Sequence, residues 1–220
     1  MTYHSGMAHR AHSKSIPVIG VTGPPGAGKS VLSGLFRRWG AQVIDADKIG
    51  HDVVQSSPKL RARLVRAFGE EIVHKGTIDH RLLARRAFTS RAAVHKLNRI
   101  VHPALVRELK RQASCAAKRP RCKAVVIDAA LLVEWGVGRV RWDYLVGVWA
   151  PYDLRLERMR ERGISRTRLD EIARAQLPWP VKKTQCDEII ANDASLEVLR
   201  TRARLCWEKL LSSHSWDEHR

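Results

Sequence analysis

The eight residues Gly23-Pro24-Pro25-Gly26-Ala27-Gly28-Lys29-Ser30 restrict this chain more than any other stretch. They fit the P-loop pattern G-x-x-x-x-G-K-[ST] at every fixed position. Before them, Pro17-Val18-Ile19-Gly20-Val21 is a short apolar run of strand type. After them, Leu32, Leu35 and Phe36 fall at helical spacing. A strand, a glycine turn and a helix start are what phosphate binding requires. The glycines let backbone N–H groups turn inward, and the helix N-terminus adds positive potential. Gly26, Ala27, Gly28, Lys29, Ser30 and Val31 then form the nucleotide-binding segment. Lys29 would reach the β- and γ-phosphates, and the Ser30 hydroxyl would hold Mg²⁺. The competing reading, a glycine-rich turn that binds nothing, leaves the Lys-Ser pair and both flanks unexplained.

Four further apolar runs follow: 41–44, ending in Asp45-Ala46-Asp47, then 124–127, 144–148 and 188–191. Runs this continuous suit parallel strands buried on both faces. Helical patterns lie between them. One stops near Arg38-Trp39-Gly40, with Gly40 as the terminating glycine. Another covers 48–54 and breaks at Ser56-Ser57-Pro58, and a last one covers 195–211. The chain is therefore expected to be an α/β protein, a doubly wound parallel sheet of about five strands.

Two stretches stand apart. Residues 59–123 read as an all-helical insert. Leu60, Leu64 and Phe68 form one face, Asp79 caps a helix carrying Leu82, Leu83 and Phe88, and Val94, Leu97, Val101 and Leu105 form the next stripe. Pro103 should interrupt that stripe and leave His102 extended before a new helical turn. Residues 153–183 read as helical and arginine-rich, ending at Leu177-Pro178-Trp179-Pro180. These are the places where small P-loop kinases carry an acceptor-binding domain and a lid. The expected layout is a core of 16–58, 124–152 and 184–212, an acceptor subdomain 59–123, a lid 153–183, and tails 1–15 and 213–220. The first tail, with His4, His9 and His12, is expected to be disordered.

Charge bears on partners. Forty Lys and Arg against 22 Asp and Glu give +18, and residues 59–123, with 18 basic and 4 acidic side chains, hold +14 of it. Such a field suits nucleic acid, a membrane surface or a phosphate-rich small molecule. A solvated basic face accounts for part of it. No nucleic-acid module or interleaved aromatic pattern is present, so no specific nucleic-acid partner is expected. The four cysteines show no C-x-x-C pairing and read as reduced thiols. With neither a signal peptide nor a membrane span in evidence, a soluble cytoplasmic protein is expected, a monomer or weak homo-oligomer with no membrane partner.

Asp45 and Asp47 stand at i and i+2. If the strand runs through both, their carboxylates face the same way at the edge where open α/β sheets bind ligands. They are either solvated turn residues or a carboxylate pair able to take a proton from, or orient, an acceptor hydroxyl. Arg155, Arg158 and Arg162 share one helical face, as a cationic surface over a transferring phosphoryl group would require. Asp128 ends an apolar run like a Walker B aspartate, as a metal-shell acid or a plain strand-end residue.

Together these segments resemble the dephospho-CoA kinase family. Val43-Ile44-Asp45-Ala46-Asp47 resembles its acceptor-site motif. Phe68-Gly69 and Gly76 through Phe88 resemble its "FG…dG.ldR..L…vF" run, and 97–103 its "LN.i.HP" signature. Leu131-Leu132-Val133-Glu134 resembles "PLLfE", with Ala130 where the family has Pro. Arg158, Arg162, Gln176, Lys182, Asp187 and Asn192 match its lid and final strand. Pro24-Pro25 depart from the family's more usual Gly-x. The resemblance covers about 16–199 and implies a P-loop nucleoside-kinase-like fold. It also implies phosphorylation of the ribose 3′-hydroxyl of dephospho-CoA, with ATP as donor and Mg²⁺ as cofactor. By position, Asp47, Lys29, Arg158 and Arg162 would be catalytic, Asp45, Arg81, His102 and Lys182 would bind substrate, and Ser30 would hold the metal. A kinase for another nucleotide or small hydroxylated acceptor remains open, as does a nucleic-acid-binding ATPase. No N-K-x-D stretch supports a guanine-reading switch.

Overall fold

Apolar runs with no polar alternation need cover on both faces, and here they get it. The computed structural model describes residues 16–87, 89–134 and 140–215. Phe88 and the tail 1–15 lie outside them, as do residues 216–220 of the other expected tail. The strands are β1 (Val18–Thr22), β2 (Ala41–Asp45), β3 (Val73–His74), β4 (Thr77–Ile78), β5 (Ala124–Asp128), β6 (Tyr144–Trp149) and β7 (Glu188–Ala191). The helices are α1 (Lys29–Arg38), α2 (Ala46–Ser56), α3 (Pro58–Phe68), α4 (His80–Ala87), α5 (Arg91–Ala117), α6 (Tyr152–Glu161), α7 (Arg166–Arg174), α8 (Trp179–Lys183) and α9 (Leu196–Ser215).

Five strands form one sheet in the order β2-β5-β1-β6-β7, every pair parallel. The chain leaves β1 toward β2 on one side and later crosses to β6 on the other. The carboxyl end of β1 is therefore the switch point where such sheets bind ligands, and the glycine loop follows it directly. On one face, Leu32, Leu35 and Phe36 of α1 and Leu199, Ala203 and Trp207 of α9 pack on Ile19, Val126 and Val146. Phe36 and Trp207 pack as a tilted ring pair with centroids 5.1 Å apart. On the other face, Ile49, Leu105 and Leu109 cover Val125, Ile127 and Leu145. A third cluster, including Leu60, Leu64, Ile72, Ile78 and Leu83, gives the insert its own core. No helix among the described residues is long and apolar enough to cross a membrane.

Four local expectations need correction. Residues 59–123 are not all helical: β3 and β4 form a hairpin pairing His74 with Thr77. Its two turn residues, Lys75 (φ 48°) and Gly76 (φ 77°), both have positive φ, as the tightest hairpin turns require. Pro103 does not interrupt α5, and His102 is helical and buried. Proline forfeits one helical hydrogen bond, at about 3 kcal/mol in a helix interior. Here Pro103 lies on the exposed side, where water can serve the freed carbonyl, while Leu105 and Leu109 anchor the next turn. Pro178 and Pro180 do not close the lid segment but open α8, where missing N–H groups cost nothing. Finally, α9 runs to Ser215 rather than stopping at 211.

One polar strap crosses the fold. Lys182 of α8 is 1% exposed, and its ammonium lies 2.7 Å from Glu134 Oε1 in the segment after β5. It also donates to the Ala130 carbonyl (2.6 Å) and Gln176 Oε1 (3.1 Å). Three donors meet three acceptors. Glu134 Oε1 accepts again from the Leu177 N–H at 2.8 Å, while Oε2 is buried without a hydrogen bond. Burial pulls the Lys182 pKa down and Glu134 opposes it. Lys182→Met would strand the Glu134 carboxylate and should lower unfolding free energy by about 3–5 kcal/mol. Adding Glu134→Gln should return most of that loss. Denaturant titration checks both, and equal stability of the single and double variants would contradict the pairing.

Candidate active site

The glycine loop takes its shape from close approaches that a side chain would block. Gly23 lies against the Val148 carbonyl, and Gly28 (φ 100°) against the Asn192 amide. Asn192, 6% exposed at the end of β7, donates from Nδ2 to the Ala27 carbonyl at 2.8 Å. Its N–H donates to the Trp149 carbonyl (2.7 Å), and its own carbonyl accepts from Arg158 Nη2 (3.1 Å). The loop is thus held from the β6–β7 side. Pro24 and Pro25 contribute carbonyls, which need no N–H. Pro24 accepts from the Ala27 N–H at 3.2 Å and Pro25 from Arg155 Nη1 at 3.3 Å. Behind the loop, α1 starts without a side-chain cap or an acid in its first turn. Uncapped N–H groups at a helix start suit an anion. Ser30 is exposed there.

Lys29 Nζ folds back to the carbonyls of Gly23 (3.0 Å) and Pro24 (3.4 Å). Burial pushes its pKa down, and Asp128 and then Asp47 oppose this. Asp128 accepts a 2.8 Å hydrogen bond from Ser33 Oγ of α1. Burial raises its pKa against the pull of that bond and of Lys29. Asp45 and Asp128 are register partners on β2 and β5, so the acids gather at one sheet edge.

The condition that one strand run through both Asp45 and Asp47 is not met. β2 ends at Asp45, whose carboxylate caps α2 by accepting from the Lys48 N–H at 2.9 Å. Asp47 sits in the first turn of α2. Its carboxylate is solvent-accessible, yet the protein massed around it raises its pKa, with Lys29 the main opposing influence. An aspartate opening a helical run is an N-cap signal, and it would have separated the two roles.

Of the three arginines expected on one face of α6, two dock inward. Arg155 reaches the Ala150 carbonyl (3.1 Å) as well as Pro25, and Arg158 reaches Asn192. Arg158 Nη1 is buried without a hydrogen bond. Arg162, the C-cap of α6, is exposed.

Beside this centre lies a cleft of about 1100 Å³ between α5, α7 and the segments 131–134 and 176–178. His102, 7% exposed, Asn98 and Arg99 supply the α5 wall, and Arg168 and Arg174 face them from α7. Arg81 is exposed on α4 and is not part of the cleft wall. Lys182 does not line the cleft: its three donors are engaged by the Ala130 carbonyl and by the lining residues Glu134 and Gln176. Sequence reasoning gave neither Asn192 nor Glu134 a role. Their partners lie 165 and 48 positions away, and no local pattern encodes such pairings.

A family model described as dephospho-CoA kinase matches residues 17–197. The dephospho-CoA kinase of Aquifex aeolicus is 32% identical over 193 residues, 87% of this chain and 96% of that protein. The dephospho-CoA kinase of Mycobacterium leprae is 38% identical over 191 residues, 86% of this chain but 46% of that longer protein. Among solved structures, TT1252 from Thermus thermophilus aligns with a TM-score of 0.74 at 31% identity, covering 90% of this chain and 99% of that one. With the phosphate loop, the acids at the sheet edge and these matches in agreement, the chain belongs to the dephospho-CoA kinase family.

Proposed function

We propose that this protein transfers the γ-phosphoryl group of ATP to the ribose 3′-hydroxyl of dephospho-CoA, giving ADP and CoA, the last step of CoA synthesis. The observation that carries the mechanism is the phosphate loop at the switch point of the sheet, with Lys29 held by loop carbonyls at the uncapped start of α1 and the acids of β2, α2 and β5 gathered at the same edge. On this reading residues 59–123 serve as the acceptor subdomain and 153–183 as the lid.

Each residue's work follows from its surroundings. The Lys29 ammonium, held by two loop carbonyls, exchanges them for phosphate oxygens when ATP binds. The uncapped start of α1 supplies further N–H groups. Arg158 offers its unpartnered Nη1 to the same phosphates, and Arg162 approaches from the exposed end of α6 as the lid closes. The cationic cleft suits an acceptor carrying a pyrophosphate, with His102 on its wall. As the acceptor oxygen bonds to phosphorus and the bond to ADP breaks, the hydroxyl proton passes to Asp47. Its raised pKa makes it a better proton acceptor than an ordinary carboxylate.

Mg²⁺ fits the donor set. Ser30 and the acids Asp47 and Asp128 are hard oxygen donors, and the protein crowded around both carboxylates, which raises their pKa values, makes a nearby cation favourable. Ser30 would hold the ion with those acids beside it. When bound, Mg²⁺ neutralises charge on the transferring phosphates.

The proposal is tested by ADP release from Mg·ATP with a panel of acceptors. Release should depend on dephospho-CoA, whereas acceptor-independent release, or preference for adenosine or AMP, would overturn the reading. Asp47→Asn should lower kcat by about 10²–10⁴, as loss of a positioned base does, with ATP affinity unchanged. The same substitution should raise the melting temperature of the ligand-free protein at neutral pH. A carboxyl whose folded pKa is raised loses stability as pH climbs through that value. The gain should disappear in acid, where the carboxyl is protonated in both folded and unfolded chains. A variant with normal turnover and no gain in melting temperature would remove Asp47 from the mechanism.

A further inference from the structure

Phosphoryl transfer uses the first half of α5, where Asn98, Arg99 and His102 line the cleft. It leaves the second half unexplained. Residues 107–123 contain seven Lys and Arg against one acid, Glu108. Glu108 is committed to Arg111, at 2.6 Å. The other six cations have no carboxylate partner among the described ion pairs. Elsewhere the fold does pair exposed cations, as in Arg202 with Asp193 and Arg204 with Glu208.

Arg107, Lys110, Arg111, Ser114 and Lys118 follow i, i+3, i+4, i+7 and i+11, so they share one helical face. All five are exposed. From Arg107 to Lys118 the row extends about 17 Å along the helix axis. Beyond it, Arg119, Arg121 and Lys123 continue the exposed cations through the turn into β5. That turn is fixed: Arg119 Nη1 donates to Gln42 Oε1 at 2.9 Å, and the Lys123 N–H donates to the Gly40 carbonyl at 3.0 Å. These contacts meet the start of β2, so the row ends at the amino edge of the sheet, opposite the edge carrying the phosphate loop.

The shape selects the partner. The charges form a line on a rigid rod. The exposed face holds Ser114 between its cations and no aromatic or large aliphatic side chain. Bases would have nothing to stack on, which disfavours a single strand. A lipid surface would receive no apolar anchor. A line of fixed cations matches the phosphates of a double helix. We propose that the second half of α5 and the turn after it form a docking strip for duplex nucleic acid, bound through the backbone without reading sequence.

The test neutralises Lys110, Lys118, Arg121 and Lys123 together to Gln, none of which belongs to the phosphoryl-transfer site. Affinity for mixed-sequence duplex DNA, and for duplex RNA of the same sequence, is measured by fluorescence anisotropy across a salt series. A control neutralises four exposed cations elsewhere, Lys59, Arg63, Arg66 and Lys183. The strip variant should bind at least about tenfold more weakly. Its slope of log affinity against log salt should flatten by up to about 3.6, at about 0.9 per lost phosphate contact. The control should change far less. The pairs Lys110 with Lys118 and Arg121 with Lys123, made separately, should each give about half the change in slope. Equal losses in strip and control variants would reduce the effect to net charge and overturn the strip. So would wild-type protein that binds vesicles of anionic lipid but neither duplex.

Discussion

Everything at this centre depends on a half-buried lysine ammonium crowded by protein at the open edge of a parallel sheet. Lys29 can be there only because glycines let the loop wrap close to β6 and β7, with Asn192 securing it from the side. Burial disfavours its charge, and the nearby Asp128 and Asp47 carboxylates offset this only in part. Those acids are raised in turn by burial and pulled back by Lys29. Neither sign is comfortable alone. The result is a recess that, under the proposed reaction, would gain most when phosphate engages the lysine and a proton reaches the aspartate.

The same logic explains the division of labour around it. On the loop side, Arg155 and Arg158 tie α6 to the loop and to the residue after β7. The cleft is joined to it by the pair of Lys182 and Glu134, of which Glu134 lines the cleft. A buried ion pair is a weak source of net stability. Here it sets geometry, holding the segment 176–178 against 131–134 so that two walls of the cleft keep their spacing.

Much of this was legible in the sequence, where the physics is local. A strand, glycine loop and helix are adjacent in the chain, so Lys29 and Ser30 could be placed from spacing. Continuous apolar runs fixed the number of sheet strands at five, as observed. Errors arose where local signals compete with packing. Proline at 103 reads as a break, but burial of Leu105 and Leu109 carries α5 through it. Residues 59–123 read as all helical, whereas paired positive φ values at Lys75 and Gly76 turn β3 into β4 as a hairpin. The i and i+2 spacing of Asp45 and Asp47 suggested one strand, yet capping turns the chain into α2 between them. What local sequence does not carry is the partner of a distant residue, which is why Asn192 and Glu134 acquire their roles only in three dimensions.

The central claim is that the nucleophile is one particular hydroxyl on one acceptor. It is tested most directly by identifying the new ester bond, using proton–phosphorus correlation NMR on the product formed from Mg·ATP and dephospho-CoA. The new phosphorus should couple to the ribose 3′ proton, in a product one phosphoryl group heavier than the acceptor. Coupling to the 2′ proton, or release of phosphate with the acceptor unchanged, would contradict the account.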